Sequence, residues 1–261
     1  MTSIFNQYTP EALRAYLASA SAYKRFDEQH AYGLALAAIH YYKGTADVRD
    51  ILVAGQALEN KWYESLRRGK PDYAVYDDEF FVSDIWACWV VYSRRYLRML
   101  QKIVTTFEGI KTVADLGCGI GYTTAGLAEL FPDARVYGTQ LESSFQFRVA
   151  AELGAQRNFT VHSAIQSNTD LVFASEYFEH FQRPIEHLLD VVRIGQPQYF
   201  ILANSFGARS IGHFDEYLNA DKKIANSSVG RSFNAVLRNC GYKRVETGFW
   251  NNRPAVWTRE S

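Results

Sequence analysis

Val113-Ala114-Asp115-Leu116-Gly117-Cys118-Gly119-Ile120-Gly121-Tyr122-Thr123-Thr124 runs from an apolar strand through three glycines into a helix. The spacing is G-x-G-x-G. Glycine lets the backbone turn sharply and lets a ligand approach the main chain where a Cβ would collide. The G-x-G-x-x-G spacing of dinucleotide-binding turns is absent, and a short strand–helix turn can also use glycine for steric reasons alone.

Working outward, the pattern alternates. Residues 112–116 read as a strand, 122–131 as a helix, 135–140 as a strand and 143–153 as a helix. Residues 158–162 and 170–175 read as strands, and Pro184 opens a helix whose Ile185, Leu188, Leu189 and Val192 share a face. Residues 198–204 form a fifth strand, 233–240 end a helix at Gly241, and 242–247 with 255–259 close the sheet as a hairpin. Alternation of this kind predicts an α/β fold with a doubly wound, mainly parallel seven-stranded sheet. The connection from the third to the fourth strand, about seven residues crossing two strands, reaches only about 25–28 Å and has room for a nearly bare loop.

Upstream of residue 108 the texture is Tyr- and Ala-rich and helical, with helices expected at 10–17, 30–42, 50–68 and around 85–99 and a turn at Gly69-Lys70-Pro71-Asp72. This divides the chain into a helical N-terminal region, 1–107, serving as lid, interface or substrate-binding element, and an α/β domain, 108–261. Residues 73–81 are too mixed to assign.

Lys plus Arg and Asp plus Glu both number 28, so no basic stripe marks a nucleic-acid surface and nucleic acid is not an expected partner. Cysteines at 88, 118 and 240 form neither a C-x-x-C pair nor an even disulfide framework, which suits a reducing, cytoplasmic compartment. No signal-like N-terminus or apolar run of membrane-spanning length is present. Histidines and cysteines lack metal-ligand spacing, so no required metal is expected.

The Asp115–Leu–Gly–x–Gly–x–Gly segment resembles the first motif of the class I S-adenosylmethionine-dependent methyltransferases, and the resemblance covers about residues 108 to 261. It implies S-adenosyl-L-methionine as cofactor, with Asp115, Gly117, Gly119 and Gly121 around its methionine part and Cys118 and Thr123 in the same binding turn. The family's second strand commonly ends in a carboxylate for both ribose hydroxyls. Gln140 stands there, followed by Leu141, and Glu142 is the nearest acid. The adenine-side acid after the third strand is also missing, leaving Ser163 and Ala164 at that place. Both departures keep open a catalytically inactive binding or scaffold protein of the same fold.

The segment Asp170-Leu171-Val172-Phe173-Ala174-Ser175-Glu176-Tyr177-Phe178-Glu179-His180 resembles the family's fourth strand and its Glu-His continuation. Ser175 at the strand end belongs with the cofactor set. Glu176 and His180 are candidate catalytic groups, with a base needed only for an acceptor that carries a proton. His213, in the polar, aromatic loop after residue 204, is a third, with Asp215 or Glu216 to orient it. A structural role remains open for each histidine. Arg94, Arg95, Arg98 and Lys102 form either an anion site or a solvated helix face.

The expected activity is methyl transfer to an oxygen or nitrogen of a small molecule or side chain. The alternatives are the inactive scaffold, or transfer of a different group from a related cofactor. Neither an Asp/Asn-Pro-Pro-aromatic motif nor a Pro-Cys dipeptide is present, which argues against nucleic-acid bases. Homo-oligomers through the N-terminal helices are compatible with the sequence.

Overall fold

The apolar character of the strand segments is explained by their burial on both faces. The computed structural model describes residues 48–77, 94–249 and 253–260. Its strands are β1 Thr112–Leu116, β2 Arg135–Thr139, β3 Thr160–His162, β4 Leu171–Ser175, β5 Tyr199–Ala203, β6 Tyr217–Asn219, β7 Lys222–Ile224, β8 Tyr242–Val245 and β9 Ala255–Arg259. Seven of them form one sheet in the order β3-β2-β1-β4-β5-β9-β8. β1 to β5 pair in parallel, and β9 runs antiparallel between β5 and β8. The doubly wound, mainly parallel architecture is the one that the alternation predicts.

Successive strand residues face opposite sides of a sheet, and the two sides are visible in the core. Val113, Leu171, Phe173 and Ile201 join one apolar cluster; Ala114, Val172, Ala174, Phe200 and Leu202 join the other. Helices α2 Arg94–Gln101, α3 Tyr122–Leu130 and α4 Phe145–Arg157 contribute Leu97, Leu127 and Leu153 to the first. Helices α1 Val48–Arg67, α5 Pro184–Gly195 and α6 Asn226–Asn239 contribute Trp62, Leu188 and Phe233 to the second. Both described N-terminal helices therefore pack on the sheet's own core layers.

Local chemistry explains the element ends. Ser144 caps α4, its Oγ accepting from the Phe147 amide at 3.1 Å. Asn158 ends the same helix in the left-handed region at φ 58°, so β3 starts at Thr160 rather than at residue 158. Pro184 occupies the first turn of α5. The β3–β4 connection carries no helix, as its length requires, and is fastened by the Tyr137 hydroxyl, which lies 2.7 Å from Thr169 Oγ1 and accepts from the Gln166 amide at 2.9 Å.

One element was not expected. β6 and β7 form a separate two-stranded sheet. Its turn residues Ala220 and Asp221 both have positive φ, 45° and 64°, without the Gly or Asn that announces such a turn. Tertiary bonds hold it instead: Arg183 donates to Asp221 at 2.5 Å and the Ala220 amide donates to Glu186 at 2.8 Å.

The helix expected at 50–68 is α1. Of the segment expected at 85–99, only the part in α2 is described, and the helices expected at 10–17 and 30–42 lie outside the described residues. The stretch 73–81 begins with a 3-10 turn, Tyr73–Asp77.

Candidate active site

In parallel sheets, ligands sit beyond the carboxyl ends of the strands, where the order reverses. Here β1 lies between β2 and β4, and a cavity of about 970 Å³ opens there. A space of this size holds a nucleoside-sized molecule and leaves room for a second ligand. Asp115, Gly117, Cys118, Gly119, Thr123, Gln140, Leu141, Ser163, Ala164, Ser175, Glu176, His180 and His213 all line it.

Gly121 is the exception among the sequence-derived candidates: it does not line the cavity. It is the residue before α3, at φ 91°, and a Cβ there would lie 2.8 Å from Phe159 Cζ. The third glycine thus serves helix packing, where a ligand contact was expected. Gly117, at φ 66°, leaves room for the ring of Tyr177, whose Cδ2 would lie 2.4 Å from an added Cβ. The Tyr177 hydroxyl reaches His187 Nε2 at 2.8 Å.

Asp115 is buried at the strand end and accepts from Thr124 Oγ1 at 2.7 Å. Burial raises its pKa to about 7, against the lowering effect of that hydrogen bond. Gln140 directly follows β2. Its Oε1 accepts from the Leu141 amide at 2.8 Å and its Nε2 donates to Gln146 Oε1 at 3.0 Å. Leu141, 56 % exposed, gives this edge of the cavity an apolar face.

At the other end the loops after β4 and β5 and the one before β9 converge. Glu176 has φ 51°, a strained conformation for a non-glycine residue and a frequent mark of functional positions. Its carboxylate pairs with Arg253, and Ser205 Oγ donates to it at 3.3 Å. Arg253 also donates to Ser205 Oγ at 2.7 Å. Glu179, fully buried, accepts from the Ser205 amide at 2.5 Å, while its Oε2 has no hydrogen-bond partner among the described residues. Burial first, and the Glu176 charge second, push its pKa up to about 8.

His213 Nδ1 lies 2.8 Å from the Ala208 carbonyl, which can only accept, so in the neutral ring Nδ1 carries the proton and Nε2 is an acceptor with no hydrogen bond among the described residues. Burial holds its pKa below the usual 6.5. The Ala208 carbonyl therefore orients His213, where Asp215 or Glu216 was expected to do so. His180 lies edge-on to His213 with ring centroids 4.9 Å apart, and its Nδ1 is 2.9 Å from the Tyr76 hydroxyl. Its burial, followed by the neighbouring His213, lowers its pKa to about 3, so it is neutral throughout the working range.

Several contributors escaped sequence reading. Tyr76 and Gln146 carry no motif. Arg253 lies in the β8–β9 connection, so its place at the sheet's carboxyl edge follows from the hairpin once β9 is paired with β5. Ligand-type atoms of Glu176, Glu179 and His213 lie within 4.8 Å of one another, and the Glu176 carboxylate there is already paired with the Arg253 guanidinium.

Residues 114–202 match the family model described as a methyltransferase domain. The matched stretch runs from β1 to β5 and includes the glycine-rich turn, so these residues carry a methyltransferase domain. Among curated proteins, the chain is 38 % identical over 80 residues to a trans-aconitate 2-methyltransferase of Rhodopseudomonas palustris strain HaA2, covering 29 % of this chain and 31 % of that protein. A second such protein, from strain BisB5, is 35 % identical over 86 residues, covering 31 % and 33 %. The matches thus span about a third of these relatives' length.

Among solved structures, the chain is similar to magnesium protoporphyrin IX methyltransferase from Synechocystis PCC 6803 with S-adenosylmethionine bound. The TM-score is 0.43 and the identity 14 %, over 83 % of this chain and 100 % of that one. It is also similar to mitomycin 7-O-methyltransferase, with a TM-score of 0.45 and 15 % identity over 95 % and 74 %. No helix among the described residues is long and apolar enough to cross a membrane.

Proposed function

We propose that the chain binds S-adenosylmethionine in this cavity and methylates an oxygen or nitrogen of a small molecule whose acceptor atom carries a proton. The observation that carries the reading is the continuity of one cavity from the glycine-rich turn to His213, with Nε2 as its acceptor. The donor set fits the cofactor: Asp115 for its amino group, Gln140 and Ser163 along the nucleoside, and Leu141, Ala164 and Ile165 as apolar surface for the base. Ser175 belongs to the same strand-end set.

When bound, the sulfonium supplies an electrophilic methyl group, and its sulfur keeps the electron pair of the broken bond. The chain's own residues hold the acceptor and receive its proton. His213 Nε2 takes that proton, with the Ala208 carbonyl stabilising the imidazolium through Nδ1. Glu176, fixed by Arg253 and Ser205, orients the acceptor, and His180 holds Tyr76 against the site.

The curated relatives' names specify trans-aconitate, a tricarboxylate. Among the described lining residues, Glu176 and Asp190 oppose such a charge, while Arg209 and Arg253 are already paired with Glu59 and Glu176. That balance supports a neutral hydroxyl- or amine-bearing acceptor over a polyanion.

The test is calorimetric titration with S-adenosylmethionine and S-adenosylhomocysteine, Gly119→Arg serving as the steric control, followed by a screen of hydroxyl, amine and carboxylic acid compounds for products heavier by one methylene. His213→Gln is expected to retain cofactor binding and lose turnover by about 10²–10⁴-fold. Because burial lowers the His213 pKa, wild-type turnover is expected to be flat through neutrality and to fall only below about pH 6.5, as the base protonates. Absence of binding of either ligand returns the chain to the scaffold reading.

A further inference from the structure

Gln140 stands where a carboxylate serves the ribose in the family it resembles, and its hydrogen bonds account for an amide there. The Leu141 amide can only donate, and it meets Gln140 Oε1 at 2.8 Å. The Tyr76 carbonyl can only accept, and it meets Gln146 Nε2 at 2.6 Å. Between these two ends, Gln140 Nε2 donates to Gln146 Oε1 at 3.0 Å. Both termini are backbone groups of fixed polarity, so the orientation of each amide is determined rather than chosen. A carboxylate at position 140 or 146 has no donor and breaks the chain of bonds.

The far end of this chain of bonds is the 3-10 turn Tyr73–Asp77, whose Tyr73 and Tyr76 line the cavity. The same turn is held from the reaction side by the Tyr76 hydroxyl on His180 Nδ1. The turn is thus held between the nucleoside edge and the catalytic edge.

We propose that Gln140 is a positioning residue, whose oriented amide link through Gln146 docks the N-terminal turn Tyr73–Asp77 as a wall of the cavity, rather than a weakened ribose ligand. The link ties the N-terminal turn to the cofactor edge. The docking part is independent of the cofactor reading, whereas the effect on affinity rests on it.

The two roles respond oppositely to Gln140→Glu. A ribose ligand gains its usual carboxylate, binds S-adenosylhomocysteine more tightly and leaves the turn undisturbed. A positioning amide loses its donor. If Gln146 then rotates to donate to the introduced carboxylate, its Oε1 faces the Tyr76 carbonyl, and the turn loses this tether either way.

Hydrogen exchange of a peptide spanning residues 72–77 is expected to accelerate by about tenfold in Gln140→Glu, the scale of one net hydrogen bond. Gln146→Leu, which leaves Gln140 in place, is expected to show the same acceleration. Because a protonated carboxyl donates again, the ratio of exchange in Gln140→Glu to that in wild type is expected to approach one as the pH falls to about 4, which loosened packing would not reproduce. S-adenosylhomocysteine affinity is expected to fall in both variants. Unchanged exchange in either variant, or tighter binding by Gln140→Glu, overturns the proposal. Absence of ligand binding by the wild type, with the exchange pattern intact, removes the cofactor reading and leaves the docking role standing.

Discussion

Glu179 shows how a side chain outside the cavity wall governs the groups inside it. One oxygen fixes the Ser205 amide, and through Ser205 the position of Glu176 and Arg253; the other is buried without a hydrogen-bond partner among the described residues. A buried carboxylate without full compensation is costly, and the protein responds by holding a proton on it, with a pKa raised from 4.5 to about 8 by burial and by Glu176. A folded pKa above the unfolded one means that the folded state binds the proton more tightly. The associated stability is fully present below about pH 4.5 and is lost as pH rises through 8. Gln at this position keeps the acceptor for Ser205 and never ionises. Thermal melts of Glu179→Gln are expected to coincide with wild type near pH 5 and to exceed it at pH 8 and above by roughly 1–3 kcal/mol, the range for relieving one uncompensated buried polar group. A constant difference across pH would place the effect in packing instead of in the proton.

At the scale of elements, legibility followed the strength of the local signal. Strands buried on both faces and helices with a clear apolar stripe were readable, as were the Pro184 start and the glycine-rich turn. The β6–β7 hairpin was not, because Ala220 and Asp221 adopt left-handed φ only with help from Arg183 and Glu186, which are remote in sequence. The motif glycines also look alike in sequence, though structure separates them. Gly121 holds α3 against Phe159 and Ala150 without lining the cavity, whereas Gly119 lines it. Gly121→Ala forces a side chain into a left-handed backbone and against the Phe159 ring, at a cost of roughly 1–3 kcal/mol. Urea unfolding is expected to show that loss while S-adenosylhomocysteine affinity of the folded protein is retained. Gly119→Arg is expected to show the reverse, and equal loss of affinity in both variants would return Gly121 to the ligand set.

Across the whole molecule, the reaction end is assembled from segments far apart in sequence, which is why its geometry was illegible while its residue types were not. His213 is a candidate base by residue type, but nothing local showed that helix α1 supports its loop. Trp62 Nε1 donates to the His213 carbonyl at 2.5 Å, Tyr63 exchanges hydrogen bonds with Ser210 at 3.2 and 3.3 Å, and Glu59 pairs with Arg209 at 2.9 Å. Helix α1 therefore supports the proposed base through that residue's backbone carbonyl. Trp62→Phe preserves most of the buried ring and deletes only the donor, leaving a buried carbonyl unsatisfied at a cost of roughly 1–3 kcal/mol. If this support positions His213, turnover is expected to fall by about tenfold while cofactor affinity stays within about twofold, since misplacing a catalytic group penalises the reaction more than binding. Parallel turnover and titration measurements decide it: equal losses in both would mean that α1 stabilises the cavity as a whole, and loss of turnover alone would make the helix part of the catalytic apparatus.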